Sequence, residues 1–323
     1  MTAPLHSEII LNQAFAEDVQ QGLTTTPKYL LSRYFYDAAG DQLFQKIMNL
    51  PEYYLTRCEF EIFQKHRDAI FRKLDHAPFD LIELGAGDGL KTQVLLQHLL
   101  HQNADFRYLP VDISGSVLEH LQKTLQERWP ELPVTPVEGE YFSALQDIDR
   151  LSDRRKLVLF LGSNIGNMKQ EQAADFLRQL RHRMYPGDCL LVGFDLKKDP
   201  DVILAAYNDP EGVTGEFNLN LLRRINREFG ADFDLTAFRH YPVYNPITGD
   251  MKSYLVSEKQ QTVRIEALDL EIPFRKWEAI DMELSKKYDR NEIEWLAEYA
   301  GFEAEQWFFD EKEYFVDVLF WAV

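Results

Sequence analysis

An α/β fold is what this sequence predicts: a doubly wound, mostly parallel sheet ending in an antiparallel hairpin, joined by a second, smaller α+β lobe. Three observations carry that expectation. From residue 79, short apolar runs alternate with amphipathic stretches at helical spacing, the pattern of successive βαβ units. After Asp195 the alternation gives way to longer helical and strand-like runs, too long for a loop. Residues 304–309 and 314–323 are aromatic runs around the acidic turn Asp310-Glu-Lys-Glu, which reads as a closing hairpin.

The elements follow in order. Residues 1–78 read as helical: 41–49 and 56–74 place Leu43, Phe44 and Ile47, then Phe60, Phe63, Ile70 and Phe71, at three- and four-residue intervals, with a break set by Pro51. Strand 79–84 leads through a glycine-rich turn to helix 90–102. Strand 107–111, helix 117–128, strands 134–137 and 156–162, helix 170–183 and strand 189–194 complete the alternation. Helices 200–207 and 215–229 and strands 237–243, 253–257 and 262–265 form an inserted lobe. Helix 290–300, ended by Gly301, precedes the hairpin.

Composition narrows the function classes. The 323 residues are 45% hydrophobic and 27% charged, enough for a sizeable core and unlike a disordered chain. Lys plus Arg number 35 against 53 Asp plus Glu, a net charge of −18 that repels phosphate backbones. The densest basic group, Arg178, Arg181 and Arg183, lies on one helix, so no nucleic-acid partner is expected. Cys58 sits in a helical pattern and Cys189 in an apolar strand-like run, so both read as core thiols, with no disulfide framework. The opening MTAPLHSEIILNQ has neither a basic nor an apolar leader region, and no apolar run approaches the ~20 residues of a membrane span. A reduced, cytoplasmic protein with no membrane partner is expected.

The stretch Ile82-Glu-Leu-Gly-Ala-Gly-Asp-Gly-Leu-Lys-Thr92 is the most informative. Glycines after a strand let a ligand approach the backbone while the following helix points N–H groups at it. A P-loop needs Gly before Lys-Thr, where Leu90 stands. A dinucleotide fingerprint needs GxGxxG, and Gly85, Gly87 and Gly89 give GxGxG. With Glu83 two residues before the first glycine, the remaining reading is a site for S-adenosylmethionine (SAM). Asp112 ends the second strand, where a carboxylate can bridge ribose hydroxyls or cap the next helix. Glu140 follows the third strand as an adenine acceptor or a surface carboxylate. Lys91 pairs with a ligand carboxylate or is a solvated lysine of the first helical turn.

Two further segments could form a substrate pocket. Leu159-Phe-Leu-Gly-Ser-Asn-Ile-Gly-Asn167 reaches the same edge of the sheet, although Asn167 followed by Gln170 also resembles a capping box. In Asp281-Met-Glu-Leu-Ser285, Glu283 and Ser285 share a face if the segment is extended, either gripping a ring with N–H donors or facing water. Tyr53, Tyr54 and Tyr207 are packing residues or ligands. Of eight histidines, only His98 and His101 approach a metal-ligand spacing, and surface helix positions explain them. No metal is expected.

Taken together, these segments resemble the histidine-specific SAM-dependent methyltransferases, the family that makes hercynine on the ergothioneine pathway. The resemblance covers nearly the whole chain. It rests on Phe35-Tyr-Asp-Ala-Ala-Gly-Asp-Gln-Leu-Phe44, Leu50-Pro-Glu-Tyr-Tyr-Leu-Thr-Arg57, the glycine-rich turn, the segment ending at Asn167, Ala206-Tyr-Asn-Asp-Pro-Glu-Gly-Val-Thr214 and Glu283-Leu-Ser-Lys-Lys-Tyr288. It implies a class I SAM-methyltransferase, Rossmann-like fold and methylation of the α-amino group of free L-histidine, through to the N,N,N-trimethyl product. It implies that Tyr36, Gly85, Gly87, Lys91, Asp112, Glu140 and Tyr141 hold SAM. Asn167 and Tyr207 would bind the substrate α-carboxylate, Tyr53 and Gly162 its amino group, Glu283 and Ser285 its imidazole, with Phe44 and Ser253 lining the pocket. Tyr53 and Asn167 would then be the residues nearest the reaction.

The organisation expected is an N-terminal helical segment, 1–78, completing the substrate site. A SAM-binding domain follows at 79–199, then a substrate-binding lobe at 200–284 and the closing helix and hairpin at 285–323. Three departures from the family pattern stand out: Glu140 in place of Asp, Asn164 in place of Thr, and Ser253 in place of a pocket Met. They leave room for another amino acid or small amine as substrate. A non-catalytic SAM-binding regulator is the alternative from a different class, and an NAD-linked oxidoreductase would need the glycine spacing that is missing.

Overall fold

A computed structural model describes residues 5–74, 77–151 and 153–322. The chain divides into two units, Met1–Tyr54 with Lys198–Ser285 and Leu55–Lys197 with Lys286–Val323. The first unit opens with helix α1 (Leu5–Thr24), which sends Phe15, Val19 and Leu23 into its core at four-residue spacing. Strand β1 (Lys28–Tyr29) and helix α2 (Ala38–Met48) follow. The second unit runs α3 (Leu55–Phe71), β2 (Phe79–Leu84), α4 (Thr92–His101), β3 (Phe106–Asp112), α5 (Gly115–Arg128), β4 (Val137–Glu138), α6 (Tyr141–Leu151), β5 (Arg155–Phe160), α7 (Gln170–Arg181) and β6 (Cys189–Asp195). The chain returns to the first unit for α8 (Pro200–Tyr207), α9 (Val213–Phe229) and strands β7 (Phe238–Asn245), β8 (Asp250–Ser257), β9 (Gln261–Ile265), β10 (Leu270–Phe274) and β11 (Ala279–Lys286). It closes the second with α10 (Arg290–Ala300), β12 (Phe302–Phe309) and β13 (Phe315–Ala322).

The second unit holds a seven-stranded sheet in the order β12-β13-β6-β5-β2-β3-β4. β2 pairs in parallel with β3 and β5, and β13 runs antiparallel between β6 and β12. All six residues of β2 are buried, as a parallel strand covered on both faces requires. From β2 the chain steps outward to β3 and β4, then crosses back to β5. The carboxyl ends of β2 and β5 therefore flank a switch point, where such sheets bind ligands. This is the class I, Rossmann-like arrangement that the sequence predicts.

The first unit has its own core, in which Phe217, Leu221, Leu222 and Ile225 of α9 meet Phe238 of β7 and Leu255 of β8. Its four-stranded sheet runs β1-β11-β8-β7, with β1 parallel to β11, and β9 and β10 form a separate antiparallel pair.

Several boundaries differ from expectation. The first division falls after Tyr54 and not at residue 78, so α3 belongs with the large sheet. Its Glu59 is buried there and bonded to the backbone of Gly162. The N-terminal segment is not purely helical, because β1 adds an edge to the smaller sheet. Strand 134–137 shrinks to β4, with Val134 making only an isolated bridge to Tyr108; Pro133 and Pro136 remove the donors a longer ladder would use. Helix α6, β10 and the full extent of β11 have no counterpart in the expected element order. The spacing of Tyr141, Ala144, Leu145 and Ile148 is the helical signal for α6. Among the described residues no helix is long and apolar enough to cross a membrane.

Candidate active site

The glycine-rich turn leaves β2 and is fastened to its neighbour: the N–H groups of Gly85 and Ala86 donate to the Val111 carbonyl at 2.8 and 3.1 Å. Gly87 takes φ = +53°, and a Cβ there would meet no atom within 4 Å, so the turn needs glycine for its backbone and faces open space. Asp112, one residue further along β3, accepts the Gly87 N–H at 3.2 Å through Oδ2 and the Ser114 N–H at 3.0 Å through Oδ1. Ser114 caps α5, so the capping alternative for Asp112 falls away. The Gly139 N–H donates to the Asp112 carbonyl at 3.0 Å, which brings the exposed Glu140 to the same strand end. Tyr141 starts α6, with its ring at right angles to that of Phe160 and its hydroxyl 3.0 Å from where a Gly85 Cβ would lie. Burial and the nearby Asp112 carboxylate push its phenol up to about 12.

Glu83 is not at the surface of the turn. It is buried, accepting the Thr92 hydroxyl at 2.6 Å and the Tyr108 hydroxyl, so it joins β2 to α4 and β3. Burial pushes its carboxyl up to about 7 against the pull of those donors. Lys91 is not a solvated lysine either, because its ammonium pairs with Glu59. Glu59 also accepts the Gly162 N–H at 2.7 Å.

Gly162 opens the loop after β5 at φ = +71°, and a Cβ there would lie 3.4 Å from Lys91 Nζ. Ser163 follows in the left-handed region, its Oγ accepting the Asp195 N–H at 3.1 Å. A 3-10 turn, Asn164–Asn167, comes next, and Tyr288 donates to the Ile165 carbonyl at 3.2 Å. The capping-box reading of Asn167 does not hold: Lys169 is the N-cap of α7, and its N–H donates to Gln172 Oε1 at 3.1 Å.

In the first unit, Tyr36, Phe44, Tyr53 and Phe217 form an aromatic group. Tyr36 meets Phe44 at 5.6 Å and Phe217 at 5.7 Å, and Phe44 meets Tyr53 at 6.3 Å, all edge-to-face. Tyr207, at the end of α8, donates its hydroxyl to Ser285 Oγ on β11 at 2.8 Å, with both groups buried. His240 Nε2 lies 2.9 Å from the Tyr207 carbonyl, which can only accept, so the proton is on Nε2. Along β11, Met282 enters the core while Glu283 is half-buried. Ser253 is buried on β8, and its Oγ meets no partner among the described residues.

Parts of the recognised segments serve the fold. Asp37 caps α2 through the Gly40 N–H at 2.8 Å and takes Asn220 and Arg227 as further donors. Asp209 accepts the Val213 and Thr214 N–H groups at 2.8 Å, holding the start of α9. Gly85, Gly87, Lys91, Asp112, Glu140, Tyr141, Gly162 and Asn167 belong to the second unit. Tyr36, Phe44, Tyr53, Tyr207, Ser253, Glu283 and Ser285 belong to the first. Glu59, Phe217 and Asp317 have no place in the sequence-based site. The signals for the two acids are lone charges in apolar surroundings: Glu59 beside Cys58, Ile62 and Phe63, and Asp317 within Phe-Val-Asp-Val-Leu-Phe.

The profile of a family described as histidine-specific methyltransferase, SAM-dependent, matches residues 15–322. The chain belongs to that family. It is 39% identical over 298 residues to the histidine N-alpha-methyltransferase of Mycobacterium tuberculosis, covering 92% of each chain. It is 38% identical over 299 residues to the protein of the same name in Mycolicibacterium smegmatis, again with 92% of each. Ergothioneine biosynthesis protein 1 of Schizosaccharomyces pombe is 30% identical over 303 residues, 88% of this chain and 39% of that one.

The chain is thus a SAM-dependent methyltransferase, and the second unit fits the methyl donor. The backbone at Gly87 and at Gly139 faces open space, and Asp112 at the end of β3 bonds to both, its carboxylate taking the Gly87 N–H and its carbonyl the Gly139 N–H. Among the described residues no group of His, Cys, Asp or Glu is arranged to hold a metal ion.

Proposed function

We propose that this methyltransferase acts on the α-amino group of free L-histidine and carries it to the trimethylated product, hercynine. The observation that carries the proposal is the 39% identity to a histidine N-alpha-methyltransferase across 92% of both chains. The buried Tyr207–Ser285 bond supports it, since it unites two of the expected substrate residues in one unit. In this reading Gly85, Gly87, Lys91, Asp112, Glu140 and Tyr141, with Tyr36, hold SAM. Asn167 and Tyr207 take the α-carboxylate, Tyr53 and Gly162 position the amine, and Glu283 and Ser285 hold the imidazole beside Phe44.

SAM supplies a methyl group that is already electrophilic, so the chain's task is alignment and proton removal. The α-amino group of a free amino acid titrates above the ~7.7–8.0 of a peptide terminus, because its own carboxylate stabilises the ammonium, so it arrives mostly protonated near pH 7 and a proton must leave before the first transfer. After the first and the second transfer the amine must shed a proton before it can react again, and the Tyr53 hydroxyl is the group assigned to pass it outward. The rings of Tyr36, Phe44 and Tyr53 offer π faces to a growing quaternary ammonium, an attraction of ~0.5–2 kcal/mol. In this reading Glu283 discriminates by hydrogen bonding: its half-buried carboxylate accepts from an imidazole N–H, and a side chain without N–H donors forfeits that charge-assisted bond, about 1.5–3 kcal/mol.

Ser253 favours a second reading, a different amino acid or small amine, because its small, buried hydroxyl lacks a partner among the described residues. Residence in the cytoplasm belongs to the main proposal and accords with Cys58 and Cys189 being buried thiols. Incubation with SAM and each free amino acid in turn, read by mass spectrometry, decides between the readings. Histidine as the preferred acceptor supports the first, another amine supports the second, and no product at all leaves only a silent SAM-binding protein.

A further inference from the structure

Glu59, on the face of α3 turned to the sheet, is fully buried, with one carboxylate oxygen on the Gly162 N–H and the other on the Lys91 ammonium. It lies over Gly193 of β6, where a Cβ would come within 2.5 Å of Glu59 Oε1. Gly193 is the cross-strand partner of Asp317 on β13, so the two carboxyl groups occupy neighbouring positions on one face of the sheet. Asp317 is also fully buried, and neither of its oxygens meets a donor among the described residues. Two acceptor groups thus face each other in a place that water does not reach.

The surrounding charges do not relieve this. Lys91 is the cation facing the pair and is held by Glu59. Glu83, the next acid, is engaged by Thr92 and Tyr108, and at the end of β6 Asp195 is paired with Lys287 at 2.7 Å. An ionised Asp317 would be a buried charge without a donor, which is costly, whereas one proton satisfies both groups.

We propose that Asp317 and Glu59 hold one proton between them and act as positioning residues: the protonated Asp317 carboxyl donates to ionised Glu59, which anchors the Lys91 ammonium and the Gly162 N–H together. Burial and the neighbouring Glu59 charge hold the Asp317 carboxyl well above its ordinary range, in line with this geometry. The consequence for function rests on the roles given above to Lys91 and Gly162. One acid from α3 then fixes Lys91, beyond the glycine-rich turn, relative to Gly162 in the loop after β5.

Two measurements on the full chain test the two halves separately. The infrared spectrum at about pH 8.5, where Glu83 is ionised, shows a protonated-carboxyl band in the wild type that shifts on slow exchange into heavy water and is missing from Asp317→Asn. Its absence from the wild type, or its persistence in that variant, overturns the shared proton, and neither result depends on what the protein binds. In calorimetry with S-adenosylhomocysteine as the probe, Glu59→Gln weakens binding about tenfold or more, the scale of a lost charge-assisted hydrogen bond. Asp317→Asn, whose amide still donates, stays within about threefold of the wild type. Unchanged affinity in Glu59→Gln, or equal losses in both variants, overturns the positioning role. If the wild type binds no probe, the methyl-donor reading fails while the infrared band still decides the proton. If Glu59→Gln fails to fold, the band and its loss in Asp317→Asn still decide the shared proton; if Asp317→Asn fails to fold, absence of the band from the wild type still overturns it.

Discussion

The Asp112 carboxylate accepts the Gly87 N–H at 3.2 Å, so one side chain at the end of β3 sets the geometry of the turn that leaves β2. Its second oxygen takes the Ser114 N–H, which leaves the acceptor lone pairs on the outer side for a ligand's hydroxyls. Asp112→Ala is expected to weaken SAM binding by about 100-fold or more, from two charge-assisted hydrogen bonds lost together. Calorimetry with SAM checks this, and unchanged affinity contradicts the ribose assignment.

Glu283 lies on β11, in the unit that does not carry the glycine-rich turn. Its truncation should therefore separate substrate from donor. Glu283→Ala is expected to lower kcat/KM for histidine at least tenfold, roughly the value of one hydrogen bond to a charged group, with SAM affinity within about twofold of the wild type. Equal loss of both, or of neither, in paired kinetic and calorimetric titrations argues against the imidazole role.

The Tyr207 hydroxyl and Ser285 Oγ form a buried pair at 2.8 Å. Tyr207→Phe should cost about 1 kcal/mol of stability and raise the KM for histidine. A double-mutant cycle with Ser285→Ala, followed by urea unfolding, should show coupling of about 0.5–1.5 kcal/mol between the two sites. Strictly additive effects mean that the hydroxyls do not act as a pair.

Glu83 provides a pH test. Its ordinary carboxyl value of 4.5 is raised to about 7 in the folded chain, so the native state holds that proton more tightly than the unfolded state does. The group adds stability in full below the unfolded value, and the contribution is lost as pH rises through the folded one. At 1.36 kcal/mol per pKa step the whole change is about 3 kcal/mol. Glu83→Gln removes the titration. Unfolding free energies from urea titrations at about pH 5 and pH 8 should shift in favour of the variant as pH rises, by up to about 3 kcal/mol. Parallel pH dependence in the two proteins contradicts the raised carboxyl.

The sequence makes the sheet and the turn legible because their signals are local. Glycines at 85, 87 and 89 between an apolar strand and a helix demand one kind of bend, and Asp112 follows from the next strand end. Helix α6 has an equally local signal in Tyr141, Ala144, Leu145 and Ile148, yet prolines at 133 and 136 and the glycine at 139 draw attention to strand and turn there. Glu59 is different. Its partners lie at positions 91, 162 and 317, and only the fold brings them together. Family resemblance likewise marks Asp37 and Asp209 without separating their work as helix caps from the chemistry of Tyr36 and Tyr207 beside them.

One measurement bears most directly on the account: purified protein, SAM and L-histidine, with the product's mass and methyl position followed over time by tandem mass spectrometry. Successive gains of one, two and three methyl groups, all on the α-nitrogen, are the predicted result. Histidine left unmodified while another amine is methylated, or methyl groups found on the imidazole ring, would contradict it.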